Sequence, residues 1–380
     1  MFMYILLTAV CVAMAFFVNG TYRRQLNTDA NGTSALDVGT RPYFTAQPGR
    51  QETINRCMLV GIFLVLFALS ALRIGIGNDY WTYRDEFIDI HRADTPISFE
   101  LGFQTFVRLM QAMVGVYNYI PIFAVVSFFT CLFFVKGIYD TSDWFVMSFF
   151  LFMANGFYFM SFSNIRYYLV LALVIYSMKF LFDKKFVPFC LIIIFAAFFH
   201  MTALLVIPAY FIAYYLKWNK KTYWLIPVAA ALLFFARIPI RRLIFVFYPY
   251  YEGDAILDVA NISYINIAKC AAVLIFSLIY YKKAIKGNAK AETFFNLNLF
   301  ALLLYSCATY VPELSRVCYY LIIGQVFLIP IIIRTIEKKK LKIFWTVSIS
   351  AAYFIYFIMF LIEGSNPVIQ ILPYFSWYFV

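Results

Sequence analysis

Long apolar runs alternate along this chain with short breaks that carry lysine, and that alternation limits the fold more than any motif does. The runs fall at 2–20, 57–74, 117–138, 143–163, 165–182, 186–200, 201–216, 222–238, 263–281, 293–311, 316–334 and 343–362. Each is close to the length a helix needs to cross a hydrocarbon core, about 20 residues. A chain that is 64% hydrophobic has more apolar surface than a soluble globule can hide. Backbone groups in lipid must be satisfied within their own segment, so every run is expected to be helical. The expectation is a single all-α polytopic membrane domain over residues 1–380, with about 12 transmembrane helices. The stretch 186–216 supplies two short spans with no loop, broken at His200-Met201-Thr202.

Charge orients the chain. With the N-terminus outside, the inner breaks hold 21 of the 31 basic residues and 15 of the 16 lysines; the other lysine, Lys269, falls inside a run. The positive-inside rule therefore fixes the topology. Met1–Val18 lacks a basic leader region and is followed by Arg23 and Arg24, so it reads as a retained first span. The net charge of +12 sits beside the membrane and meets anionic lipid, which removes the nucleic-acid reading. The basic residues left on the outer side are all arginine. Arginine forks onto phosphate and is the cation least costly to desolvate, so this set points to anion binding.

Three outer segments result, about 75–116, about 238–262 and 363–380, the first two expected to cover the active site. In the first, Phe99, Phe103, Phe106, Met110 and Met113 share one helical face, and Glu100, Gln104, Arg108 and Gln111 another. That pattern predicts an amphipathic helix lying flat at the outer interface. The inner loop 21–56 is a polar connector. The seven cysteines lie in or at the ends of runs without CxxC or Cys/His pairing, and read as small buried hydrophobes. Phosphate-cradling GxxxxGKS/T, HExxH and GxSxG are missing, as is an inner-side DxD, which disfavours ATP and nucleotide-sugar chemistry. No metal or cofactor is expected.

Six ionisable residues stand in or beside the runs, where charge is costly and tends to be functional: Arg73, Asp79, Glu100, Arg166, His200 and Arg316. Threading places all six on the outer side. Arg73 opens Arg73-Ile-Gly75-Ile-Gly77-Asn-Asp79-Tyr80-Trp81-Thr-Tyr83, where glycines let backbone approach a phosphate. Arg166 follows Ser163-Asn164 in a tight turn; the turn needs only a cap, and an arginine at a helix N-terminus opposes the macrodipole. His200, on a helix break among phenylalanines, can accept a proton near neutral pH. Pro312-Glu313-Leu314-Ser315-Arg316 closes another outer turn, with Glu313 placed to orient Arg316 and with Tyr319 following. Tyr80, Trp81, Tyr83, Glu313 and Tyr319 are the candidate sugar contacts. Arg241 and Arg242 suit lipid headgroups, Asn296, Asn298 and Gln325 suit interhelical hydrogen bonds, and His91 suits the surface.

The order Arg73…Gly77-Asn78-Asp79-Tyr80-x-x-Tyr83, Glu100, Ser161-Phe-Ser-Asn-Ile-Arg166, His200-Met-Thr-Ala203 and Arg316-x-x-Tyr319 resembles the EpsG-like branch of the Wzy-type bacterial polysaccharide polymerases. The likeness spans roughly residues 1–340 as scattered short matches. It departs from the family pattern at Tyr167, where a glutamine is expected, and at Met201, where a serine is. The resemblance implies a GT-C-like membrane glycosyltransferase in the bacterial cytoplasmic membrane. Such an enzyme joins undecaprenyl-diphosphate-linked oligosaccharide repeat units into exopolysaccharide, capsule or O-antigen on the outer, periplasmic face. It implies the lipid-linked oligosaccharide and the bilayer as partners, with a chain-length regulator beside them. Arg73, Arg166 and Arg316 would steady the leaving diphosphate. His200 would act as base with Asp79 as rival, and Glu100 would orient an arginine or a sugar hydroxyl. The reaction is expected to be metal-independent. Two other readings share these features: an O-antigen ligase-like or other membrane transferase, and a lipid-linked sugar flippase. A transporter usually holds its site at the midplane between repeated halves, whereas these charges gather at one edge and no internal repeat is visible.

Overall fold

A computed structural model of the protein describes residues 1–18, 48–90, 99–218, 222–247, 263–307, 314–367 and 369–377. Among these residues the regular structure is helical throughout, apart from an isolated antiparallel bridge between Arg73 and Ser376. Among the described residues five helices are long and apolar enough to cross a membrane: Gly49–Ala71, Ile120–Thr141, Ile165–Phe182, Arg316–Arg334 and Lys339–Ser365. Six shorter apolar helices accompany them. The chain groups into two compact units, Met1–Ala203 with Ile336–Val380, and Leu204–Thr335.

The first unit holds α1 (Phe2–Phe16), α2 (Pro48–Ala71), α3 (Tyr80–Asp89), α4 (Leu101–Val114), α5 (Ile120–Thr141), α6 (Phe145–Ala154), α7 (Phe157–Met160), α8 (Ile165–Phe182) and α9 (Phe186–Ala197). Helix α8 is buried on nearly every side, as a helix apolar all round must be. Asp140 near the end of α5 accepts from Lys179 of α8 at 2.7 Å, pinning the lysine-bearing ends of the two helices. The run 143–163 is not one continuous helix: α6 ends at Ala154, and Gly156 takes a left-handed conformation before α7. Helix α2 begins well before its apolar run, so residues 48–56 of the expected inner loop are helical. Residues 21–47 of that loop, and His91, lie outside the described residues.

The expected amphipathic helix is α4, with its buried face turned from the one the sequence pattern gives. Phe103, Val107 and Gln111 are buried, while Met113 is exposed. Gln111 turns inward because its Nε2 donates to the Phe87 carbonyl at 2.6 Å and to the Val116 carbonyl at 3.2 Å. Leu101, Leu109 and Met113 are left as an outward apolar stripe. Helix α3 begins at Tyr80, in a stretch that the sequence offers as a glycine turn followed by sugar contacts.

The second unit holds α10 (Val206–Tyr215), α11 (Leu225–Phe235), α12 (Arg237–Phe247), α13 (Tyr264–Ile279), α14 (Ala289–Cys307), α15 (Leu314–Ile322) and α16 (Gln325–Arg334). The chain then returns to the first unit as α17 (Lys339–Ile362). Polar side chains of α14 tie this unit together. Asn298 Nδ2 donates to the Cys270 carbonyl at 3.0 Å and Gln325 Nε2 to Asn298 Oδ1 at 2.7 Å. Asn296 Nδ2 donates to the Ala213 and Leu216 carbonyls at 2.8 and 3.0 Å. These are the interhelical bonds the sequence pointed to. Arg241 and Arg242 sit on α12, and residues 248–262 of that outer segment are outside the described residues.

Candidate functional site at Glu100

Local sequence places the site's arginine. Asn164 caps α8: its Oδ1 accepts the Tyr167 N–H at 3.2 Å, which fixes the first turn and the bearing of Arg166. Glu100 occupies the N-cap position of α4 in an extended conformation, and its side chain leaves the helix and crosses to Arg166. Arg166 Nη1 donates to Glu100 Oε2. The other carboxylate oxygen, Oε1, lies 3.3 Å from His200 Nδ1 and accepts the Met201 N–H at 3.1 Å. One carboxylate therefore joins α4, the start of α8 and the break after α9.

Small and aromatic residues make the approach possible. A Cβ on Gly102 would lie 2.5 Å from Phe198 Cβ and 2.6 Å from the Phe198 carbonyl oxygen, so only glycine lets α4 seat on the His200 turn. Tyr83 Oη donates to Asn164 Oδ1 at 3.1 Å and accepts from Arg166 Nε at 3.4 Å. The guanidinium lies 4.6 Å from the Phe99 ring centre and 5.8 Å from that of Phe103. The His200 and Tyr167 rings meet edge to face at 5.6 Å, and Thr202 Oγ1 stands 3.4 Å from His200 Nδ1.

Side-chain exposures of 14% for Arg166, 18% for Glu100 and 8% for His200 put the trio largely out of water, where charge–charge attraction is strong. Burial works to raise the Glu100 pKa, but the His200 hydrogen bond and the charge of Arg166 outweigh it. The carboxyl is held below its ordinary range. A carboxylate on Nδ1 orients the imidazole and leaves Nε2 to carry the lone pair. A positioned base beside a fixed guanidinium is suited to deprotonating a hydroxyl while an anionic group departs.

The remaining candidates are placed differently. Arg73 is buried, with its guanidinium 5.5 Å from the centre of the Phe123 ring and 5.0 Å from that of Phe162. Phe123 in turn stacks on Tyr80 at 4.5 Å and meets Tyr83 edge-on at 6.5 Å, so one ring stands between Arg73 and the Tyr83–Arg166 contact. Tyr80 and Tyr83 belong to this aromatic core, while Trp81 is exposed with the Arg84 guanidinium 4.6 Å from its ring. Asp79 stands at the N-cap of α3. Arg316 and Tyr319 lie on α15 of the second unit, and Glu313 is outside the described residues. Sequence reasoning missed Gly102 and Phe99 as supports of the site. The glycine two residues after an acidic N-cap was the available signal.

These helices describe a polytopic membrane protein, with a sequestered charge cluster built from scattered segments. The chain belongs to the EpsG family, whose model matches residues 56–376. That span takes in Arg73, Asp79, Glu100, Arg166, His200 and Arg316. Membership makes it a polysaccharide polymerase-like membrane protein. No curated protein and no solved structure matches it.

Proposed function

We propose that the protein polymerises oligosaccharide repeat units carried on undecaprenyl diphosphate, at the outer face of the bacterial cytoplasmic membrane. The observation that carries this reading is the Glu100 carboxylate shared between Arg166 and His200. In the reaction, an acceptor hydroxyl oxygen bonds to the anomeric carbon as the bond from that carbon to the diphosphate oxygen breaks. The diphosphate leaves with the electron pair, and the hydroxyl proton goes to the base. His200 Nε2 takes that proton, and Glu100 stabilises the imidazolium that forms; such a base contributes roughly 10²–10⁴ in rate. Arg166 faces the charge growing on the departing diphosphate. Asp79 is the competing base, and Asp79→Asn against His200→Gln separates the two.

The same reading takes the full set of apolar runs as about twelve spans of a GT-C-type transferase, with the shorter helices completing the five long ones. It also takes the transfer as metal-independent, with a chain-length regulator as a partner. The test is direct. Purified protein in nanodiscs, given a polyprenyl-diphosphate-linked repeat unit, should yield a ladder of products that survives EDTA. The ladder should vanish with Arg166→Ala and with His200→Ala. Undiminished polymerisation by both variants would sink the proposal.

A further inference from the structure

Arg73 is buried more completely than any other charged side chain among the described residues. Its Nη1 donates to the Ser70 carbonyl, to Ser70 Oγ at 3.1 Å and to Ser127 Oγ at 3.2 Å. Its Nε and Nη2 are buried and have no protein acceptor. Among the described residues no carboxylate pairs with it. The Phe123 and Phe162 rings replace part of its hydration, but a buried cation without a counter-charge is a costly arrangement for a fold to keep. Nε and Nη2 form one edge of the planar guanidinium, the edge that forks onto two oxygens of a single anion.

Residues 370–377 run beside the main chain of 72–77, Arg73 included. The Ile74 N–H donates to the Phe375 carbonyl at 3.0 Å, Trp377 N–H to the Leu72 carbonyl at 3.2 Å, and Gly77 N–H to the Gln370 carbonyl at 2.8 Å. Arg73 itself bridges Ser376. Tyr374 Oη adds a bond to the Leu69 carbonyl at 2.9 Å, and Tyr4 Oη one to the Ile371 carbonyl at 2.7 Å. Side chains contribute less: Ile371 and Ser376 are buried, whereas Phe375 and Trp377 are exposed. A strap held mainly by main-chain bonds, with little apolar burial, sits at the low end of local stability.

We propose that residues 369–377 are a gate over a second anion site, and that release of this strap lets the Nε–Nη2 edge of Arg73 clasp a diphosphate. The choice of ligand rests on the polymerase reading, in which both donor and acceptor arrive on a diphosphate. The gate itself rests on the orphaned edge and the strap.

Labelling of Arg73 by phenylglyoxal, followed by peptide mass spectrometry on the full chain in zwitterionic nanodiscs, tests the gate. Arg84 serves as the accessible control. Wild-type Arg73 should label slowly. Trp377→Pro removes the donor to Leu72, and Tyr374→Phe the bond to Leu69. Each should speed labelling of Arg73, by about five- to tenfold for a lost hydrogen bond. Inorganic diphosphate, and undecaprenyl diphosphate more strongly, should slow it again. An unchanged Arg73 rate in variants that melt like wild type would overturn the gate. So would a faster rate that diphosphate does not touch, or protection by phosphatidylglycerol nanodiscs in place of diphosphate. Should Trp377→Pro not fold, hydrogen exchange on wild type decides: the Ile74, Gly77 and Trp377 amides must exchange faster than those in the middle of α2. A polymer ladder with Arg73 never labelled removes the gate and leaves the polymerase; diphosphate protection without a ladder does the reverse.

Discussion

Arg166 and Arg73 belong to the same unit and touch rings of one aromatic core, yet they are handled in opposite ways. Arg166 opens α8 with a carboxylate on Nη1, a phenol on Nε and aromatic faces around it. Arg73 follows the end of α2 with a carbonyl and two hydroxyls on one nitrogen, and with its other two nitrogens unpaired. At Arg166 the protein has settled the charge internally. At Arg73 the charge is left open, on a residue whose main chain pairs with the strap. Two arginines that look equivalent in the sequence are therefore a paired charge and an open one. The difference lies in whether a carboxylate from another segment comes to meet them.

The contrast breaks most readily at Arg166. Replacing it with methionine keeps much of the bulk but strands Glu100 as a half-buried anion beside His200. Loss of one partner of such a pair costs roughly 3 kcal/mol, and loss of the guanidinium about 10²-fold or more in turnover. Thermal unfolding in nanodiscs and the polymerisation assay read the two losses separately. A variant as stable as wild type would mean that Glu100 does not depend on Arg166.

A smaller effect sharpens the same point through pH. The Glu100 carboxyl is held below its unfolded value of 4.5, so its ionisation adds stability above that pH. That stability should fade as pH drops below 4.5 through the depressed native value. In Glu100→Gln this part of the acid-side fall should be missing, leaving a flatter melting curve against pH, although the variant starts lower at neutral pH. Parallel curves for the two proteins would show that the pair does not hold the carboxyl down.

The sequence made the helical character and the segments carrying charge legible, because apolar length and lysine placement respond to the bilayer directly. It also brought Glu100, Arg166 and His200 into one short list, and the structure joins them through a single carboxylate. What it did not show was rotation and closure. Periodicity put Gln111 with the polar face of α4, but a side-chain amide that finds two carbonyls can be buried at little cost. Tyr80 and Tyr83 looked like exposed stacking platforms because an aromatic belt and an aromatic core have the same composition. The structure puts both in the core. The pairing of Gln370, Phe375 and Trp377 with Gly77, Ile74 and Leu72 depends on contacts some 300 positions apart, and no local signal encodes it.

The smallest predicted change concerns stability at Arg73, and it bears hardest on the comparison. Arg73→Met swaps a guanidinium for an apolar chain that fits between Phe123 and Phe162. The loss is the hydrogen bond to the Ser70 carbonyl and two bonds to hydroxyls, and Ser70 Oγ and Ser127 Oγ already bond each other at 2.9 Å. The gain is removal of a buried charge with no counter-ion. Substituting well-packed hydrophobes for buried charges is often neutral or better, so the net change should stay within about 1 kcal/mol of zero. Polymerisation should fall all the same, because the diphosphate loses its fork. A variant of unchanged melting temperature and reduced activity fits an arginine kept for a ligand. If instead Arg73→Met melts as far below wild type as Arg166→Met does, then Arg73 is a structural cation and the two arginines differ only in what they hold together.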